Sequence, residues 1–214
     1  MKLELMHVGM VTTNCYLLTN EETGEAAFID PGDEADRLLS CCGERKLAAI
    51  LLTHGHFDHI MAVPKLREAA GARVYAPAAE AALLADSEEN LSGPWQGRPT
   101  SVEADVLLQD GEEFELLGTK IRLLLTPGHT AGSSCYYLPE FGWLFSGDTL
   151  FCESYGRVDL PAAMPERIGP SIREKLLVLP RETRVFPGHG ASTDIAHERR
   201  YNPLAQGWKE DNAK

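Results

Sequence analysis

The chain contains no run of 18 apolar residues, so no membrane-spanning helix is expected in it. Its first twenty residues, MKLELMHVGMVTTNCYLLTN, lack a basic start, an unbroken apolar stretch and a small-residue cleavage site. We therefore read no signal peptide and expect a cytoplasmic protein. Clusters of Lys and Arg are also missing: Arg199 and Arg200 form only a pair, beside Glu198. The net charge of −12 would repel a phosphate backbone, so neither nucleic acid nor a membrane is expected as a partner. The cysteines (Cys15, Cys41, Cys42, Cys135 and Cys152) are odd in number and form no C-x-x-C pair. The adjacent Cys41 and Cys42 are poorly placed for a disulfide, and reduced thiols fit best. A G-x-S-x-G elbow and an evident Cys-His arrangement are absent, which argues against a Ser or Cys nucleophile. Neither an internal repeat, a low-complexity segment nor a linker is visible, so residues 1–214 are expected to form one domain.

What is present is enough apolar sequence for a substantial core, 43% of 214 residues. Strand signals fall at Leu3–Val8, Asn14–Thr19 and Ala26–Ile29, with a turn at Glu21–Gly24. A short helix is expected over 34–42, a buried strand at Leu47–Leu52, and a helix over 60–70 ended by Gly71. Val74–Tyr75 reads as a strand and Pro77–Ala85 as a helix with Pro at its start. Residues 86–104 are polar and read as an irregular loop over the site, carrying Trp95 as a packing anchor. Strands follow at Glu113–Leu116, Ile121–Leu125, Ser134–Leu138, Gly142–Phe145 and Arg184–Phe186, and helices near Pro165–Leu179 and Asp194–Arg200. This order suggests an α/β fold of two stacked sheets covered by helices.

The chemistry concentrates in T-H-G-H-F-D-H at residues 53–59, directly after an apolar strand. Three imidazoles and a carboxylate in so short a stretch would repel or be desolvated without a shared task; neutral imidazoles are ready metal ligands. The i, i+2 spacing of His54 and His56 suits a loop, unlike the helical H-E-x-x-H pattern. The apolar runs at 47–52, 121–125, 142–145 and 184–186 each lead to a candidate ligand: His54, His129, Asp148 and His189. Gly precedes three of these, where a tight turn or close approach is needed. Such ligands would meet at one edge of the sheets. Any one of these histidines alone could be a turn residue, but five of the seven fall in this pattern. His7 and His197 are read as ordinary strand and helix residues.

T-H-x-H-x-D-H, T-P-G-H-T-x-G-S, S-G-D-T-L-F and P-G-H-G, in this order, resemble the metallo-β-lactamase superfamily, and within it glyoxalase II, a hydroxyacylglutathione hydrolase. The resemblance implies a four-layer αββα sandwich and a binuclear metal site. His54, His56 and His129 would hold one metal, and Asp58, His59 and His189 the other, with Asp148 bridging. Zinc is the metal expected, with iron or manganese as alternatives. Asp58 would also be catalytic, orienting the attacking hydroxide, and Asp30 would support a ligand histidine. Arg157 matches a basic residue that binds a glutathione carboxylate, and Tyr155 would line the pocket. Tyr155 replaces a usual Cys, and Ala191 stands where the family has a Tyr that touches glutathione. The similarity is to the shorter bacterial glyoxalase II-like hydrolases.

The expected activity is hydrolysis of a small-molecule acyl thioester or ester. The rivals are an Fe(II)-dependent persulfide dioxygenase using His54, His129 and Asp148, and a lactonase. Asp148 before Thr149-Leu150, in place of Ser or Cys, points away from a β-lactamase. Charge and the lack of a large inserted domain disfavour a nuclease, and Gly55-His56 lacks the Glu of a flavodiiron site. A metal-loaded scaffold without activity would suit a broken ligand set, and this one is whole. The sequence sets no oligomeric state.

Overall fold

The computed structural model describes residues 1–206; residues 207–214 of the expected domain lie outside the described residues. The first half of the chain runs β1 (Lys2–Val8), β2 (Thr13–Thr19), β3 (Glu25–Ile29), α1 (Ala35–Cys42), β4 (Lys46–Leu51), α2 (Phe57–Ile60), α3 (Val63–Ala70), β5 (Arg73–Pro77), α4 (Ala81–Ala85), α5 (Ser92–Gln96) and β6 (Val106–Leu108). Its strands form one six-stranded sheet in sequence order, antiparallel through β3 and parallel from β3 to β6. The second half runs β7 (Glu113–Leu116), β8 (Thr119–Leu125), β9 (Ser134–Leu138), β10 (Trp143–Gly147), β11 (Leu150–Phe151), β12 (Ser154–Tyr155), α6 (Pro165–Pro170), β13 (Arg184–Pro187), β14 (Thr193–Asp194) and α7 (Ile195–Tyr201). Its sheet has the order β14-β13-β10-β9-β8-β7, and β11 pairs with β12 as a separate ribbon.

Alternation along the strands builds the layers. Tyr16, Leu18, Ala27, Ile29, Ala49 and Leu51 face the core between the sheets. Their neighbours Cys15, Leu17, Ala26, Phe28 and Ile50 face a second core with Leu38 of α1 and Leu66 of α3. In the other sheet Tyr136 and Phe145 point inward, while Cys135, Leu144 and Val185 meet Ile168, Ile172 and Ile195 on the helical side. Period-two strands buried on both faces therefore give the expected αββα sandwich. Each fully buried Leu, Ile or Phe contributes about 1.5–3 kcal/mol.

Two tyrosines tie the sheets together at the site end. Tyr136 of the second sheet donates to the carbonyl of Leu52 (3.0 Å), one residue before Thr53. Tyr16 of the first sheet donates to the carbonyl of Pro187 (2.6 Å), just before Gly188 and His189. Backbone bonds from Ser134 N to Thr53 O (3.0 Å) and from Asn14 N to Gly188 O (2.7 Å) complete the stitching. The strand ends that carry the chemistry are thus fixed to the opposite sheet.

Several boundaries differ from the sequence reading for local reasons. The helix expected over 60–70 divides into α2 and α3, because Pro64 at the start of α3 has no N–H to give to Ile60. Pro77 ends β5, a 3-10 turn covers Ala78–Glu80, and only Ala81–Ala85 is α-helical. The helix near Pro165–Leu179 changes at Pro170 into a π-helical turn over Ser171–Leu176. Residues 86–104 are not all irregular: α5 carries Trp95, and the buried Asn90 pins the segment. Its carbonyl accepts from Phe57 N (2.9 Å), and its side chain donates to Thr100 O (2.9 Å).

Candidate metal centre

The seven predicted ligands lie together at one edge of the two sheets. His54 and His56 follow β4, Asp58 and His59 are on α2, His129 follows β8, Asp148 follows β10 and His189 follows β13. One ligand atom each from His54, His56 and His129 lies within 4.8 Å of the others, and the same holds for Asp58, His59 and His189. Asp148 stands between the two groups. Its Oδ1 is 3.5 Å from His59 Nε2, and its Oδ2 is 3.5 Å from His129 Nε2 and 3.6 Å from His189 Nε2.

Close approach is possible because of glycine. A Cβ at Gly188 would come within 2.2 Å of Asp148 Oδ1 and 2.8 Å of His59 Cε1. Gly147, at φ +48°, has Thr53 Oγ1 where a Cβ would be, 2.3 Å away. Any larger residue at either position would push Asp148 out of register.

The surrounding hydrogen bonds set which ring nitrogens face inward. Asp30 accepts from Thr53 N (2.8 Å) and Thr53 Oγ1 (2.7 Å). The Thr53 hydroxyl donates to Asp30, so it accepts from His54 Nδ1 (3.1 Å), leaving Nε2 as the lone-pair nitrogen. His129 Nδ1 donates to the carbonyl of Arg157 (2.7 Å), which likewise frees its Nε2. Asp30 Oδ2 lies 3.0 Å from His59 Nδ1. His56 Nδ1 and His129 Nε2 face each other at 2.8 Å. Asp58 Oδ2 accepts from Thr13 Oγ1 and lies 3.1 Å from His189 Nε2. Thr13, which acts across 45 residues, leaves no local sign in the sequence. Thr53, beside the histidine motif, was within its reach.

Burial, then the neighbouring imidazoles, push His54 well below the usual histidine range. Burial and His129 push His56 down to about 3. For His59 burial acts in the same direction, but Asp58, Asp148 and Asp30 outweigh it and hold the group well above its ordinary value. Asp58 is held well below the carboxylate range, because His59 and His189 overcome its own burial. His189 is raised: its hydrogen bond with Asp58 and the Asp148 charge exceed its desolvation.

The donor set fits a pair of cations. His54 Nε2, His56 Nε2, His59 Nε2 and Asp148 Oδ1 are buried without a hydrogen-bond partner in the protein, an expensive condition unless another group satisfies them. Their N and O chemistry suits Zn, Fe or Mn. A second group of metal-capable residues, Cys152, His197 and Glu198, makes a useful contrast. There Glu198 accepts from Thr193 Oγ1 (2.7 Å), Asn202 Nδ2 (2.8 Å) and Glu153 N (3.0 Å), and His197 Nε2 meets Glu153 Oε1 at 2.9 Å. That group is satisfied from within, and His197 is the ordinary helix residue the sequence suggested. His7 lies exposed on β1.

A cleft of about 410 Å³ opens over the cluster, lined by His56, Asp58, His129, Asp148 and His189, with apolar walls that include Phe57, Trp95, Phe151 and Tyr155. A larger groove of about 1060 Å³ along β1 and β13 reaches only His189 of the seven, so the smaller cleft belongs to the chemistry. Trp95 is half-exposed and sits 5.8 Å from the Phe57 ring, so it is both packed and cleft-lining. Tyr155 and Arg157 are among the residues that line the cleft. The Arg157 guanidinium is already bidentate with Asp159, at 2.7 and 2.8 Å.

Two stacked sheets with a His/Asp cluster at their shared edge define a protein built around a metal centre. The chain belongs to the metallo-β-lactamase superfamily, whose family model matches residues 8–189. It is 35% identical over 212 residues to the hydroxyacylglutathione hydrolase GloC of Haemophilus influenzae, covering 95% of this chain and 98% of that protein. Among solved structures it is similar to the BLEG-1 B3 metallo-β-lactamase, with a TM-score of 0.89, 38% identity, and coverage of 96% and 100%. It is also similar to a di-iron-bound form of TTHA1623, with a TM-score of 0.80, 38% identity, and coverage of 94% and 99%. No helix among the described residues is long and apolar enough to cross a membrane.

Proposed function

We propose that this chain is a cytoplasmic binuclear-metal hydrolase of small acyl thioesters or esters. The observation that carries this reading is the convergence of seven potential ligands, several with unpartnered atoms, five of which line the floor of an apolar-walled cleft. His54, His56 and His129 would hold one cation and Asp58, His59 and His189 the other, with Asp148 touching both sets. Zinc suits the donors; the di-iron neighbour supports iron as the alternative. When bound, the pair would supply Lewis acidity and a water whose pKa is lowered toward about 7.

The chain's own groups do the rest. Asp58 accepts a hydrogen bond at its carboxylate and so orients the attacking water, with Thr13 fixing its Oδ2. Phe57, Trp95, Phe151 and Tyr155 hold the acyl arm and exclude bulk water. A thiolate leaves readily and needs little help from a general acid. Arg157 takes a carboxylate of the substrate. Its pairing with Asp159 is solvent-exposed and therefore weak, so a substrate carboxylate can replace Asp159 at little cost.

The test is metal analysis together with a panel of S-lactoylglutathione, neutral thioesters, lactones and a β-lactam. We expect about two metals per chain and thioester turnover that a chelator abolishes. Turnover of the β-lactam or lactone alone, or oxygen uptake with a persulfide and no hydrolysis, would overturn the substrate assignment.

A further inference from the structure

Glu80 is a buried carboxylate that the ligand set does not use. It ends the 3-10 turn Ala78–Glu80, is 1% exposed, and no cationic side chain among the described residues is paired with it. A buried carboxylate is costly unless donors satisfy it. Three do: Oε2 accepts from Gly55 N (3.1 Å), and Oε1 accepts from Gly132 N (2.8 Å) and from the Thr130 hydroxyl.

The position of these donors gives the side chain its meaning. Gly55 lies between His54 and His56, and Thr130 directly follows His129. The two loops that carry the three imidazoles of one half-site are therefore joined through a single carboxylate. None of its hydrogen bonds reaches Asp58, His59 or His189. Both loops are pressed against it: a Cβ at Gly132 would be 2.7 Å from Glu80 N and 2.8 Å from its Cγ, and one at Gly55 would be 3.2 Å from its Oε2. Thr130 and Ser133 share a further hydroxyl contact (2.7 Å), which keeps the His129 loop folded around Glu80.

We propose that Glu80 is the positioning residue of the His54/His56/His129 half-site, setting the spacing of its imidazoles for a cation while leaving the other half-site independent. This rests on reading the cluster as a two-metal centre. A general structural anchor would weaken the whole protein; this one acts on one metal.

Glu80→Gln tests it, because Gln has the same size but only one acceptor oxygen. Its NH₂ must face either Gly55 N or Gly132 N, and neither backbone donor can turn round to accept. Zn(II) affinities are measured by chelator competition, and Co(II) visible spectra report the geometry. Two backgrounds assign the effect: His59→Asn leaves the half-site Glu80 serves, and His56→Asn leaves the other. We expect Glu80→Gln to weaken zinc roughly 10- to 100-fold in the His59→Asn background, with a changed Co(II) spectrum, and to change little in the His56→Asn background. Thr130→Val, which removes one of the three donors, should give a smaller loss in the same background, and it decides the matter if Glu80→Gln does not fold. Equal affinity with and without Glu80→Gln, or equal losses in both backgrounds, would overturn the proposal. A wild-type chain that binds no metal would instead sink the two-metal reading beneath it.

Discussion

The two halves of the cluster are built from different chemistry. His54, His56 and His129 form a half-site of three imidazoles, in which burial drives His54 and His56 toward the neutral, ligand-ready form. Asp58, His59 and His189 form a half-site in which carboxylates hold both imidazoles toward the charged form. In the first, His54 and His56 meet a cation without a proton to give up. The second is, without metal, an internal ion pair that a cation must displace. Affinity, acid sensitivity and folding should therefore separate along this line, although the two sites share Asp148.

Asp148 is where the separation should fail most completely. Its two oxygens face His59 on one side and His129 and His189 on the other. Asp148→Ala is expected to lose both metals and all measurable hydrolysis, checked by metal analysis on the folded variant. Retention of either metal at wild-type affinity would mean that the halves are more independent than their geometry indicates.

The next effect concerns pH. A cation entering the second half-site must release the His59 proton and, where it is still charged, that of His189, so its affinity should rise at least about tenfold per pH unit while these imidazoles remain charged in the metal-free protein. His54 and His56 in the first half-site have no comparable proton to lose near neutrality. Chelator competition between about pH 6 and 8, in His56→Asn for the second half-site and His59→Asn for the first, measures both slopes. Parallel slopes would break the comparison.

A smaller effect appears in the stability of the metal-free protein. The raised pKa of His59 contributes stability that is fully present below the unfolded histidine value, about 6.5, and is lost as pH rises through the folded value. The lowered pKa values of His54 and His56 act in reverse, with stability present above about 6.5 and lost as pH falls. The melting temperature should therefore decline on both sides of a plateau. His59→Asn should shrink the alkaline decline to the part that His189 contributes and leave the acid one, as thermal melts across pH will show.

How far the sequence revealed these halves follows from distance along the chain. Strands that end in Thr-His, Gly-His or Gly-Asp are visible because the turn glycine and the ligand are neighbours, and the alternation of β2 to β4 is visible because each strand spans several residues. Glu80 was hidden: A-P-A-A-E reads as the start of a helix, and the donors that define its role are 25, 50 and 52 residues away. Asp30 was expected to support a ligand because it follows a strand, yet its link to His54 through Thr53 needed three-dimensional contacts. The strands β6, β11, β12 and β14 were missed because two or three residues cannot display a period.

Arg157 provides the smallest and most selective test, because its two parts belong to different tasks. Its carbonyl accepts from His129 and so supports the first half-site, while its guanidinium reaches the cleft and pairs with Asp159. Arg157→Ala keeps the carbonyl and removes the guanidinium. Both metals should therefore remain, and kcat should change little. KM should rise several-fold, on the order of the loss of one charge-assisted contact, for thioesters that carry a carboxylate, and stay near its original value for neutral ones. Equal changes in KM for both classes would remove the carboxylate role from Arg157. Loss of metal from the first half-site would show instead that the Arg157–Asp159 pair, though exposed, holds the loop that presents the carbonyl to His129.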